Sequence, residues 1–350
     1  MTNEAKVSID KIDDFDEIID VRSPAEYAED HIPGAISAPV LSNEERARIG
    51  TLHKQASAFD AKKAGAALVA RNIAAHLETR FAGRPRGWRP LVYCWRGGQR
   101  SGAMSETFSR IGWRAGQLDG GYKAYRRHVI DSLEVVPTSL SFRIVCGVTG
   151  SGKSRLLRAL DASGAQVLDL EDLARHRGSV LGHLPGDPQP SQKMFESLVL
   201  ARLRQFDAAQ PIFVEAESKK IGDVRVPDTL MDLMRASPCV AVDMSTALRV
   251  ALLKEEYAHF LAQPGLLGIQ LDCLTALHGR ERIEGWKTLS HAGQWDELVE
   301  RLLTEHYDPA YLRGMARNYR HFHDAAPLPV TDISPTGMTA AARQAIKLAA

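Results

Sequence analysis

The sequence predicts an α/β protein of two parallel-sheet domains, the second carrying a helical C-terminal extension. Three observations carry this. Two short apolar runs each lead into a polar turn and a helical pattern, strand-like and helical stretches alternate on both sides of a break at Val135 to Leu140, and the pattern from Thr246 onward is almost wholly helical. Buried-type strands alternating with helices are what a parallel sheet covered on both faces requires. At 350 residues the chain exceeds what one core normally organises, which sets domains at 8–135 and 140–350.

In order, Ile18 to Val21 reads as a strand. Ser23, Pro24 and Glu26 then supply an N-cap, a first helical position and the reciprocal acid of a capping box. A second box at Ser42 to Glu45 opens a helical segment reaching about His76, and the Pro/Gly/Arg-rich stretch Arg80 to Pro90 delivers the chain into the strand Leu91 to Tyr93. After the break, Ser141 to Cys146 is a strand and Arg155 to Ala162 a helix. Gln166 to Leu170, Pro211 to Val214 and Cys239 to Met244 are further strands.

Composition narrows the class. Apolar residues at 44% and charged residues at 25% exclude a disordered or fibrous chain. Lysine plus arginine (44) against aspartate plus glutamate (43) leaves a formal charge of +1, so any nucleic-acid contact must come from local patches. The four cysteines are too few and too far apart for a disulfide framework or a CxxC metal site. The opening MTNEAKVSID lacks a signal-peptide layout, and no apolar run approaches the roughly 18 residues of a membrane span. A soluble, cytoplasmic protein without membrane partners is the expectation.

Two motifs carry chemistry. Gly147-Val-Thr-Gly150-Ser151-Gly152-Lys153-Ser154 matches the full GxxxxGK[ST] phosphate loop, with a strand before and a helix after. Its amides and the helix N-terminus can converge on a phosphate, Lys153 adds charge, and Ser154 could hold magnesium. Glu215 and Glu217 follow the strand Pro211 to Val214, where acids can organise metal and water or simply end a strand. The loop fixes phosphate binding but not the reaction. The second motif is Cys94-Trp95-Arg96-Gly97-Gly98-Gln99-Arg100-Ser101. A cysteine at a strand end, then glycines and arginines, forms an anion cradle with a nucleophile at its base. Cys146, Cys239 and Cys273 sit in apolar strand or helical patterns and read as buried, inert thiols.

Basic residues cluster at Arg84, Arg86 and Arg89 around Trp88, at Lys123, Arg126 and Arg127, at Lys219 and Lys220, and at Arg313, Arg317 and Arg320 with Tyr319 and His321. Arginine interleaved with aromatics suits phosphate contact plus base stacking, although each cluster is equally a solvated face.

The segment IIDVRSPAEYAEDHIPGAI, the Cys94 loop and LDGGYKAYRR together resemble a rhodanese domain. Fused to a phosphate-loop domain bearing SNEERARIGTLHKQ, CWRGGQRSGAMS, GVTGSGKS and FVEAESKKIG, that domain resembles the tRNA 2-selenouridine synthase family from about Ile18 to at least Tyr257. The loop from Cys94 to Arg100 is Cys-x5-Arg, one residue longer than in ordinary sulfurtransferases and shared with phosphatases of the same fold. The resemblance implies conversion of 2-thiouridine to 2-selenouridine at the wobble position of tRNA, with Lys, Glu and Gln acceptors as substrates. It implies geranyl diphosphate as alkyl donor, selenophosphate as selenium donor and no tightly bound cofactor, with a selenophosphate-supplying enzyme as a partner. Cys94 would carry selenium as a selenosulfide while Arg96, Arg100 and the Gly97 and Gly98 amides hold the phosphate. The phosphate loop would grip the prenyl diphosphate. A Cys-x5-Arg phosphatase or sulfurtransferase fused to an NTPase, and a non-catalytic RNA-binding module, are the alternatives from other classes.

Overall fold

The computed structural model describes residues 6–55, 57–177, 188–258, 261 and 264–349. The chain divides into two compact units, Met1–Leu133 with Pro190–Ala201, and Glu134–Gln189 with Arg202–Ala350.

In the first unit, β1 (Lys6–Val7), β2 (Glu17–Asp20), β3 (Ile36–Ser37), β4 (Pro90–Tyr93) and β5 (Gly116–Leu118) form an all-parallel sheet in the order β1-β5-β4-β2-β3. The chain runs from β2 to one side and returns on the other with β4, so the C-terminal ends of these neighbours mark a switch point where ligands bind in such sheets. The helix α1 (Pro24–Glu29) starts with the expected capping box at Ser23 and Glu26. The single helical stretch expected from Ser42 is two helices, α2 (Asn43–Gln55) and α3 (Ala58–Thr79). Ser57 separates them, because its extended backbone and its hydroxyl, accepting the Asp60 amide at 3.2 Å, start a fresh helix. The core between these helices and the sheet holds Ile19, Val92, Met104 and an aromatic group of Phe81, Trp88 and Phe108. Trp88 meets Phe81 at 5.3 Å and Trp113 at 4.9 Å, and only 4% of it is exposed. It is therefore a core residue and not the stacking platform its arginine-rich surroundings implied.

In the second unit β6 (Phe142–Cys146) is central. With β7 (Gln166–Leu168), β8 (Ile212–Glu215), β11 (Cys239–Asp243) and β12 (Ala326–Pro329) it forms the all-parallel order β12-β11-β6-β8-β7. A small antiparallel ribbon, β9 (Lys220–Ile221) and β10 (Val224–Arg225), follows β8. Strand β12 corrects the all-helical expectation for the C-terminal region. Its Ala-Pro-Leu-Pro sequence carries no strand pattern, yet at a sheet edge prolines can leave the missing donors on the outer side. Leu156, Leu157 and Leu160 pack in one core with Ala341, Ala342 and Ala345 of the helix Pro335–Ala349. A second core of Leu271, Leu274, Ile283, Trp286 and Leu298 joins the helices between residues 264 and 302. Cys146 and Cys239 are buried, but Cys273 is exposed. The inward positions there are taken by Leu267, Leu271 and Leu274 at helical spacing, which turns residue 273 outward. Among the described residues no helix is long and apolar enough to cross a membrane.

Candidate active sites

The thiol site grows from the end of β4. The turn after Cys94 leads into α4 (Gln99–Ile111), and the backbone is held from behind by the start of α5 (Gly121–Val135). The Tyr122 amide donates to the Cys94 carbonyl at 2.8 Å and the Lys123 amide to the Trp95 carbonyl at 3.1 Å. Gly121 adopts φ +56, and a Cβ there would lie 2.3 Å from the Cys94 carbonyl oxygen, so no larger residue fits. The Cys94 Sγ accepts the Gly98 amide at 3.3 Å and the Ser101 hydroxyl at 3.2 Å. Burial pushes this thiol up; the Ser101 hydroxyl and amide, the Arg100 charge and the Gly98 amide outweigh it and hold Cys94 below the ordinary thiol range. Arg100 pairs with Glu26 at 3.0 Å, whereas Arg96 is exposed.

Buried pairs behind the loop fix its shape. Arg22 meets Asp20 at 2.6 Å, donates to the Asp30 carbonyl and lies 4.0 Å from the Tyr122 ring centre. Gln117 of β5, which the sequence did not single out, donates from Nε2 to the Gly97 and Gly98 carbonyls and to the Ser101 hydroxyl at 2.9 to 3.0 Å.

The phosphate loop follows β6 and ends at α6 (Lys153–Ala162), whose N-cap Gly152 has φ +78. Lys153 Nζ donates to the Gly147 carbonyl at 2.8 Å and sits 3.4 Å from Glu215. The loop opens onto a cavity of about 600 Å³. Its lining combines Gly150, Gly152, Lys153, Ser154, Arg158, Arg175 and Arg177 with an apolar wall of Leu253, Leu267, Trp295, Leu298, Val299, Leu302, Leu303 and Tyr307. Gly147 and Ser151 do not line it; Ser151 is fully buried.

Glu171, in α7 (Leu170–Ala174), joins Glu215 and Glu217 so that one carboxylate oxygen from each lies within 4.8 Å of the others. Burial and the neighbouring Glu215 and Glu217 push Glu171 up to about 10; burial and Glu215 push Glu217 up to about 8. Burial also raises Glu215 against the opposing charge of Lys153. Hard oxygen donors gathered at this cost, with the Ser154 hydroxyl 3.4 Å from Glu171 and a buried Glu215 oxygen lacking any partner, fit a magnesium ion. Sequence spacing gave no sign of Glu171, because the fold alone brings it beside Glu215.

The basic residues fall in both units. In the first unit Arg84 pairs with Glu17 at 2.8 Å and Arg89 with Asp16 at 2.9 Å, while Arg86 is exposed. In the second unit Lys219 pairs with Asp228 at 2.6 Å and Lys220 with Asp223 at 3.9 Å; Arg317 is exposed. Tyr319 is buried, its hydroxyl donating to the Glu217 carbonyl at 2.7 Å, so it too is no stacking surface.

A thiolate-stabilising anion cradle on a five-stranded parallel sheet, followed in the same chain by a phosphate-loop unit, defines a rhodanese-type domain joined to a P-loop domain. Comparison with known proteins agrees: residues 2–128 match the rhodanese-like domain, and residues 140–265 match the tRNA 2-selenouridine synthase AAA domain. The tRNA 2-selenouridine synthase of Marinobacter nauticus is 35% identical over 84% of this chain and 87% of its own length; that of Alcanivorax borkumensis is 34% identical over 84% and 88%. The synthase of Nitrosomonas europaea is 36% identical over 69% of this chain and 63% of its own length. The chain belongs to the tRNA 2-selenouridine synthase family.

Proposed function

We propose that this protein converts 2-thiouridine at the tRNA wobble position to 2-selenouridine in two steps, geranylation from geranyl diphosphate and then selenation from selenophosphate. The observation that carries the reading is the cavity of the second unit, which joins a phosphate loop to an apolar wall. A nucleotide needs no such wall; a prenyl diphosphate has a charged head and a hydrocarbon tail that match both parts. In the first step the allylic C–O bond breaks, the thiocarbonyl sulfur forms the new C–S bond, and pyrophosphate leaves with the electron pair. Lys153, the loop amides, Arg158 and Arg175 stabilise that developing charge. Ser154, Glu171, Glu215 and Glu217 would hold magnesium, which supplies further positive charge to the diphosphate when bound. The apolar wall excludes water from the allylic centre.

In the second step the cradle presents Cys94 as a thiolate beside an oxyanion site formed by loop amides with Arg96 and Arg100. The selenosulfide implied by family resemblance requires loss of two electrons from selenide, so an external disulfide would have to accept them. The Cys-x5-Arg cradle favours a redox-neutral route. Cys94 attacks phosphorus, the S–P bond forms as P–Se breaks, and hydrogen selenide is released to displace geranyl thiol from carbon 2 of the base. Water then frees phosphate from Cys94. The exposed Arg86 and Arg317 supply phosphate contacts to the tRNA; Arg84, Arg89, Lys219 and Lys220 each already face a carboxylate.

Nucleoside mass spectrometry after incubation with thiolated tRNA, geranyl diphosphate and selenophosphate tests the division of labour. Lys153→Ala is expected to abolish geranylation yet still selenate tRNA supplied S-geranylated. Cys94→Ser is expected to accumulate the S-geranyl nucleoside with no selenouridine. The reverse pattern would exchange the two assignments. The mass of the adduct on wild-type Cys94, phosphoryl or selenium, separates the two selenation routes.

A further inference from the structure

The amides of a phosphate loop converge on the anion, so its carbonyls turn outward and need donors of their own. At Thr149, just before Gly150, the donor is Arg249 of the helix Thr246–Glu256: its Nε and Nη2 reach the Thr149 carbonyl at 2.9 and 2.7 Å. Only 4% of Arg249 is exposed. A guanidinium so buried needs a counter-charge, and Asp308 provides it, accepting from Nη2 at 2.6 Å and from Nη1 at 3.0 Å. Asp308 opens the helix Asp308–Asn318, and Tyr311 in the first turn of that helix accepts the Gly147 amide at 2.8 Å. One helix from the C-terminal region therefore holds the loop at both its start and its tip.

We propose that Arg249 and Asp308 are positioning residues for diphosphate binding: Asp308 orients Arg249, and Arg249 fixes the Thr149–Gly150 peptide so that its amide points at the anion. Neither residue belongs to the GxxxxGK[ST] motif, and Arg249 is absent from the cavity lining, so both act through the loop. The inference rests on the second unit being a diphosphate site, but its test does not require the tail to be geranyl.

Inorganic pyrophosphate serves as the probe, titrated calorimetrically into the full chain. Arg249→Met is expected to weaken binding about tenfold or more, the scale of one charge-assisted hydrogen bond, and Arg249→Lys to recover part of that loss. Because Arg249→Met leaves the partly buried Asp308 without its partner, the double variant Arg249→Met/Asp308→Leu removes both charges together. It is expected to bind pyrophosphate as weakly as the single variant, while Cys94 in the first unit alkylates at the wild-type rate. With geranyl diphosphate the rise should fall on KM and leave kcat near wild type. Wild-type pyrophosphate affinity in the folded double variant would overturn the proposal. Weak pyrophosphate binding by the variants, with no geranylation by the wild-type chain, would retain the positioning role and remove the prenyl reading instead.

Discussion

At Cys94 two opposing effects act on one atom: burial disfavours the thiolate, and three donors with a nearby guanidinium favour it. The Ser101 hydroxyl is the foremost of the stabilising contacts, so Ser101→Ala removes the largest opponent of burial. The thiolate then forms at higher pH, and the midpoint of iodoacetamide alkylation should move up toward or beyond about 8.5, the value of a free thiol. At neutral pH the variant should alkylate several-fold more slowly; an unmoved midpoint would assign the stabilisation to the amides and Arg100 alone. Cys94, the glycines and Arg100 were legible because a cradle is contiguous in sequence. Gln117, Glu171 and Arg249 were not, because each reaches its site from a distant strand or helix. The arginine-aromatic clusters misled at Trp88 and Tyr319, since spacing along a chain does not say which side of an amphipathic residue the core will claim.

The strands that the sequence revealed are β2, β4, β6, β8 and β11, of four or five residues, and the three-residue β7 inside the expected run Gln166 to Leu170. Those it concealed have two or three residues, as in β1, β3 and β5, or lie at an edge with prolines, as in β12. Periodicity needs several residues before it can be seen, and edge strands are released from the donor pattern that marks a central one. The start of α5 shows how a glycine ahead of a helix's apolar stripe can be indispensable. Gly121→Ala would force a left-handed backbone on an L-residue and drive a methyl group into the Cys94 carbonyl and the Gly97 amide. It should destabilise the first unit by about 1–2 kcal/mol from backbone strain alone, more with the overlap, and lower Cys94 reactivity in parallel. Denaturant unfolding followed beside alkylation measures both; a loss of stability with full reactivity would show that the cradle does not depend on this contact.

At the scale of the whole molecule, the first unit is not contiguous in sequence. Residues 190–201, at the start of α8 (Gln192–Leu203), belong to it: the Ser197 hydroxyl donates to Asp30 at 2.9 Å, Lys193 pairs with Glu29 at 2.5 Å, and Arg126 pairs with Glu196. Asp30 is wholly buried and also accepts from Tyr122, so the inserted helix completes a network that reaches Arg22 and the thiol loop. A fragment ending at residue 135 should therefore melt below the corresponding transition of the full chain, and a peptide of residues 190–201 supplied in trans should raise it; calorimetry distinguishes this from a self-sufficient unit that melts unchanged.

Vectorial synthesis gives that insertion a temporal meaning. Domains emerging from a ribosome fold in the order they appear, and a unit closed by a later segment must wait for it. Here the strands bearing Cys94 leave the exit tunnel first, yet Asp30 receives its Ser197 hydroxyl only after the phosphate loop and α6 have also been made. The scaffold of the thiol loop is thus finished only when the phosphate-loop unit is already under construction.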